Sequence, residues 1–325
     1  MRAAVTGAAG FLGFNLVEAL ASLGHEVVAI DRVVPPAHID GNITWLRADI
    51  LDLDDMVRAL ADVEVVYHLV AMVTLAQHDP IAWRVNTEGA RIVAEAALKV
   101  GARKFVHCSS LHAYDQYHLA GPLDEESPRS TREDLPVYDR SKWFGEVAVR
   151  SVVDRGLDAV ICNPTGIFGP VDWGPSRLNS MLRMAANGRM PVGIAGHFDL
   201  IDVRDVAAGM IAAAEKGRTG ENYILAGHSA DLIDVFRIAA RAVGRRGPLF
   251  AIPLGVVDFI VPVAEPIGAR FGSDLISRGA IDTVLTSPTV DGSKAIRELG
   301  HAPRPTDESV RDLIAFFVSA SRFTS

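Results

Sequence analysis

Tyr138 and Lys142 stand four residues apart in a stretch with helical spacing, which places both side chains on one face. A free phenol titrates near ~10, too high to act as a base around neutrality. A neighbouring ammonium favours the phenolate, and lowering the pKa by ~3 units requires ~4 kcal/mol of differential stabilisation. Ser110 lies 28 residues before Tyr138, in Cys108-Ser109-Ser110-Leu111-His112, just past an apolar run. A hydroxyl there can hydrogen-bond a substrate oxygen and orient it for Tyr138. Together the three suit proton exchange on an oxygen whose carbon gains or loses a hydride.

A hydride needs a carrier, and the N-terminus supplies a place for one. Thr6-Gly7-Ala8-Ala9-Gly10-Phe11-Leu12-Gly13 separates a strand-like run from a helical pattern. Glycines at 7, 10 and 13 let the backbone turn tightly and approach a pyrophosphate, which then meets the helix N-terminus formed around Ala9, Phe11 and Leu12. Asp31 ends the next apolar run, 18 residues past Gly13. A carboxylate there accepts from both ribose hydroxyls and repels a 2′-phosphate, which favours NAD over NADP. Arg32 beside it is the feature that would tolerate NADP.

These residues require an alternating scaffold. Strand patterns fall at 2–6, 26–30, 44–48, 63–70, 104–108 and 158–162, and helical patterns follow most of them, with stops at Gly24, Gly101 and Gly156. Asp52 reads as the N-cap of a helix through Ala61. Runs apolar on both faces imply an α/β fold: a doubly wound parallel sheet with helices on both sides. The rhythm weakens after Pro164, so a cofactor domain is expected over 1–164, with 200–226 returning to it, and a smaller substrate-binding portion over 165–325.

Composition narrows the function. The 325 residues carry 32 Lys plus Arg against 40 Asp plus Glu, a net charge of −8 that argues against nucleic-acid binding. Cys108 and Cys162 cannot form a disulfide framework and read as buried thiols of a cytoplasmic protein. His107, His112 and His118 fit no zinc spacing, so no metal is expected. The apolar stretch 249–267 contains Asp258 and Glu265 and is broken by Pro253, Pro262 and Pro266. It reads as short helices over a pocket rather than a membrane span. No secretory signal is expected.

The T-G-x-x-G-x-x-G spacing resembles the extended short-chain dehydrogenases/reductases, the superfamily of NAD-dependent epimerases and dehydratases. Further matches are Asp49-Ile50, His68-Leu69-Val70-Ala71, Asn86, Asn163-Pro164 through Gly169-Pro170, Asp202 through Ala207, and Asp291 through Lys294. The pattern is most similar to dihydroflavonol reductase and 3β-hydroxysteroid dehydrogenase members. The resemblance implies Ser110, Tyr138 and Lys142 as catalytic residues, with Lys142 also holding the nicotinamide ribose. It implies Asp49, Ile50, Leu69, Val70, Ala71 and Pro164 around the cofactor, and a homodimer packed through 88–100 and 139–155.

Relatives that dehydrate sugars carry Asp-Glu after the catalytic hydroxyl, where this chain has Leu111-His112, so elimination is not expected. The expected activity is NAD(P)-dependent interconversion of a secondary alcohol and a ketone on a hydrophobic small molecule. Met72, Val73, Thr74, Ser110, His112, Phe168, Met181 and Met184 are the candidate substrate contacts. Two alternatives stand beside this reading: a nucleotide-sugar epimerase, in which Asn179 would face the sugar nucleotide, and a non-catalytic dinucleotide sensor.

Overall fold

A computed structural model describes residues 1–33, 37–117, 119–174, 176–252 and 287–320. His118 and most of the 249–267 stretch lie outside them. Seven parallel strands form the main sheet: β1 (Arg2–Thr6), β2 (Glu26–Ile30), β3 (Ile43–Leu46), β4 (Val65–His68), β5 (Lys104–Cys108), β6 (Ala159–Pro164) and β10 (Asn222–Leu225). Their order is β10-β6-β5-β4-β1-β2-β3. The chain therefore winds outward in one direction from β1 and in the other from β4. Ligands in open sheets of this kind bind beyond the strand C-termini at that reversal.

Successive side chains of one strand feed opposite layers, as the two-residue strand period demands. Val27 and Ala29 join the core containing Leu16, Val17 and Leu20 of α1 (Phe11–Ser22) and Met210 of α7 (Val203–Lys216). Val28 and Ile30 join the other, with Met56 of α2 (Leu53–Ala59), Val93 of α4 (Ala90–Val100) and Val149 of α5 (Val137–Val153). Asp52 caps α2 by accepting from Asp55 N–H, and Gly101 ends α4 with φ of 74°.

Strand β4 is shorter than the 63–70 pattern. Leu69 still donates its N–H to Thr6 O at 3.1 Å, and the continuation through Val70 passes over Gly7, where an added Cβ would lie 3.1 Å from Val70 N. The sequence pattern also missed α3 (Pro80–Arg84), capped by Asp79 and running through a π-helical turn (Val85–Gly89) into α4. The Asp-Pro pair was its signal.

Beyond β6 the chain builds more than loops and short helices. Strand β7 (Gly166–Phe168) pairs with β9 (His197–Asp202), which also pairs with β11 (His228–Asp231). Strands β8 (Val192–Ile194) and β12 (Phe250–Ile252) form a separate pair. A third core joins α6 (Arg177–Ala186), α8 (Leu232–Arg241) and the C-terminal α10 (Thr306–Ser319), while α9 (Ser293–Leu299) packs on α7 and β10. Among the described residues no helix is long and apolar enough to cross a membrane.

Candidate active site

The glycine loop joins β1 to α1 at the sheet reversal. Gly7 takes φ of 76°, and the amides of Gly7 and Ala8 both donate to Ile30 O, at 2.9 and 3.2 Å. A Cβ on Gly13 would lie 2.0 Å from Gly7 O, so the helix packs against its own loop as only glycine permits. Helix α1 begins at Gly10 with no side-chain cap, leaving its first amides to meet an anion.

Asp31 Oδ2 accepts from Ala9 N–H at 3.0 Å, and Oδ1 accepts from Arg32 N–H at 2.7 Å and Val33 N–H at 3.2 Å. The Ala9 amide, expected to face a phosphate, is thus already paired with the residue expected to face the ribose. Arg32 is exposed. Asp49 is exposed too, with Oδ1 accepting from Leu51 N–H at 3.0 Å. Ile50 is buried, with its side chain packed against Gly89. The uncapped helix start, the glycine cradle and Asp31 are fitting partners for a dinucleotide's pyrophosphate and ribose.

The catalytic candidates converge where β5 ends and α5 begins. Ser110 follows β5 beside the Tyr138 phenol, and its hydroxyl accepts from His112 N–H at 3.2 Å. Lys142 is buried and donates from Nζ to Cys108 O at 2.8 Å, tying helix to strand. Burial pushes the Tyr138 phenol above its ordinary value, and the hydrogen bond with Ser110 pulls against it. Burial also draws the Lys142 ammonium below its ordinary value, opposed by the charge of Glu146. Burial dominates, and Tyr138 is held as the neutral acid.

Sequence reasoning missed the group beneath these residues. Glu146 lies one turn beyond Lys142 and is fully buried. It accepts from Ser109 Oγ at 2.6 Å, Asn163 Nδ2 at 2.7 Å and Asn222 Nδ2 at 2.9 Å. Asn163 Nδ2 also donates to Ser110 O at 3.0 Å, so the carboxylate indirectly holds the serine backbone. The four-residue spacing of Tyr138, Lys142 and Glu146 was the available signal. Asn86 is a second brace: its side chain exchanges hydrogen bonds with the Met72 backbone at 2.8 and 3.0 Å and donates to Ser141 Oγ at 2.8 Å.

The substrate candidates divide. Met72 and Thr74 are partly buried, and Val73 is exposed on the segment after β4. Phe168 is 0% exposed inside the third core, which corrects its expected place in a pocket wall. Met181 packs on the same core, and Met184 is partly buried. Asn179 is likewise 0% exposed and bonds Gly169 and Asp172, bracing a loop rather than facing a ligand.

Leu69, Val70 and Ala71 are partly accessible beside the glycine loop, whereas Pro164 is buried at the end of β6. His68 and His107 stack in the sheet interior with ring centroids 5.6 Å apart. Cys108 and Cys162 are free buried thiols facing each other across β5 and β6, both pushed up by burial. No metal-ligand cluster occurs among the described residues.

Comparison with known proteins agrees with this architecture. The chain is similar to sterol demethylase protein B of Methylococcus capsulatus, 33% identical over 323 residues that cover 98% of each protein. It is 27% identical to a 3-beta-hydroxysteroid dehydrogenase of Mycolicibacterium neoaurum, covering 94% of this chain and 88% of the relative. The structure of gox2253 superposes with a TM-score of 0.83 at 31% identity, covering 99% of both chains. UDP-glucose 4-epimerase of Thermotoga maritima shares the fold, with a TM-score of 0.79 at 20% identity over 99% of this chain and 100% of the other. The model of the NAD dependent epimerase/dehydratase family matches residues 3–226, from the first strand of the glycine loop through the edge strand β10, and it is to this family that the chain belongs.

Proposed function

We propose that the protein is an NAD-dependent oxidoreductase that interconverts a secondary alcohol and a ketone on a hydrophobic, steroid-like or flavonoid-like small molecule. The observation that carries this reading is the convergence of Ser110, at the end of β5, with the buried Tyr138 phenol and a buried Lys142 fixed to that strand end. A sterol demethylase component and a steroid dehydrogenase among the relatives support the substrate class.

A bound nicotinamide supplies the hydride acceptor or donor and, when oxidised, a positive charge. Ser110 orients the substrate oxygen. Tyr138, held protonated by burial, gives its proton to that oxygen during reduction and takes it back during oxidation. Lys142 stays fixed by Cys108 O, ready to hold the ribose and to balance a phenolate. The uncapped start of α1 would hold the pyrophosphate, and Asp31 would favour the unphosphorylated ribose. Residues 1–164 with β10 form the cofactor portion, and the remaining elements form the substrate portion. Exposed Phe144 and Val147 on α5 support a homodimer through this helix.

The test is NAD-linked turnover of steroid and flavonoid alcohols by the wild type and by Tyr138→Phe. Turnover is expected to fall by about a hundredfold to ten-thousandfold in the variant while NAD still raises its melting temperature. Undiminished turnover in Tyr138→Phe removes the tyrosine from the chemistry. Stabilisation of the wild type by UDP-sugars alone overturns the substrate class.

A further inference from the structure

His112 sits in the short 3₁₀ turn Leu111–Ala113 that follows Ser110. Its backbone is fixed at both ends: the N–H donates to Ser110 Oγ at 3.2 Å, and the carbonyl accepts from Ser130 Oγ at 2.9 Å. Its ring stands edge-on to Tyr138 with centroids 5.5 Å apart. On one side Nδ1 lies 3.1 Å from Asp139 Oδ1 and is closed to solvent. The ring nevertheless keeps 32% of its side-chain surface accessible, against 9% for Asp139. A paired, buried carboxylate therefore stands behind an imidazole whose other edge is open next to the reacting groups.

We propose that His112 is a specificity-determining cation that takes the carboxylate of a substrate bearing one beside the reacting carbinol. This rests on the oxidoreductase reading above. Substituents near an oxygen held by Ser110 and Tyr138 fall within reach of a ring packed against that tyrosine. Asp139 orients the imidazole and stabilises its charged form, leaving the second N–H for a charge-assisted hydrogen bond. Burial alone would lower the imidazole, but the charge and hydrogen bond of Asp139 raise it overall. Of the other groups around this turn, Tyr138 is a neutral phenol, Arg129 lies over Tyr114, and Arg132 pairs with Asp115 and Asp134.

The test uses two matched 3β-hydroxysteroids, one with a carboxylate on the neighbouring carbon and one with hydrogen there. Michaelis constants are compared for the wild type, His112→Gln and Asp139→Asn across the imidazole titration range. The wild type is expected to favour the carboxylate by about tenfold to a hundredfold, the strength of a charge-assisted bond. In His112→Gln the ratio of the two constants falls to near one. In the wild type the preference is present while the imidazole is protonated and fades as pH rises. Asp139→Asn shifts that fading to lower pH, which a purely structural histidine would not do.

Equal constants in the wild type, or a preference that survives His112→Gln, overturn the subsite and leave the oxidoreductase reading in place. A second arm compares UDP-glucuronate with UDP-glucose, since a uronic carboxylate offers the same chemistry. A His112-dependent preference there, with both steroids unreactive, supports the carboxylate subsite and overturns the steroid-type substrate.

Discussion

Glutamine in place of Glu146 changes one atom of the site's support and nothing at its surface. The carboxylate has two acceptor oxygens and serves three donors: Ser109 Oγ and Asn163 Nδ2 on one, Asn222 Nδ2 on the other. A carboxamide has one acceptor oxygen and an NH₂ group. In one orientation the NH₂ faces Asn222 Nδ2, and in the other it faces both remaining donors. Rotating Asn222 offers no escape, because its Oδ1 accepts from Arg150.

At least one N–H is thus left buried without an acceptor, even though Asn222 Nδ2 keeps Asn163 Oδ1 at 2.7 Å, at about 1–3 kcal/mol, and the surviving bonds lose their charge assistance. A total near 2–4 kcal/mol follows. With an unfolding entropy of ~2.1 cal/mol/K per residue, this chain's length gives ~1.5 °C for each kcal/mol, hence a drop of about 3–6 °C in melting temperature. The assay is thermal unfolding followed by circular dichroism, with Glu88→Gln as control, since Glu88 makes only an exposed pair with Arg84. The control is expected to melt with the wild type. If Glu146→Gln melts within ~1 °C of the control, the network contributes no stability and the reasoning fails.

Two other predictions follow from the cofactor loop and the sheet interior. Asp31→Ser removes the charge that repels a 2′-phosphate while Arg32 remains alongside, so the ratio of kcat/KM for NAD to that for NADP is expected to fall by about tenfold or more; an unchanged ratio would remove Asp31 from cofactor choice. The second concerns acid. Burial pushes His68 down to about 3 and His107 well below its ordinary value, so both stay neutral in the folded protein. Unfolded histidines bind protons below ~6.5, and stability is lost as pH falls through that value, by about 2 kcal/mol per imidazole between pH ~7 and ~5. Urea melts at the two pH values check this, and His107→Gln should flatten the dependence by about half.

The reading of the sequence succeeded where a residue type has one local meaning. Gly101 stops a helix in the left-handed region, Asp52 caps one, and the runs 2–6, 26–30 and 104–108 coincide with β1, β2 and β5. The expected return of 200–226 toward the main sheet is met by β10, which pairs with β6. Failures came where meaning depends on a distant neighbour. Phe168 belongs to a core assembled from α6, α8 and α10, and no local pattern tells a core phenylalanine from a pocket wall. Glu146 was overlooked because a glutamate on an amphipathic helix reads as solvent-facing; its burial follows from Asn163 and Asn222, which come from strands β6 and β10.

The anchoring of Ser110, Tyr138 and Lys142 also bears on how such enzymes diversify. Their described supports are Cys108 O, Asn163, Asn222 and Glu146, contributed by β5, β6, β10 and α5. None of these supports belongs to α6, α8, α10 or the smaller sheets. Natural selection can therefore rebuild that outer half for a new molecule while the proposed proton-handling residues keep their alignment. Grafting the outer half of a relative onto this inner frame would exchange the preferred compound and leave the reaction type intact.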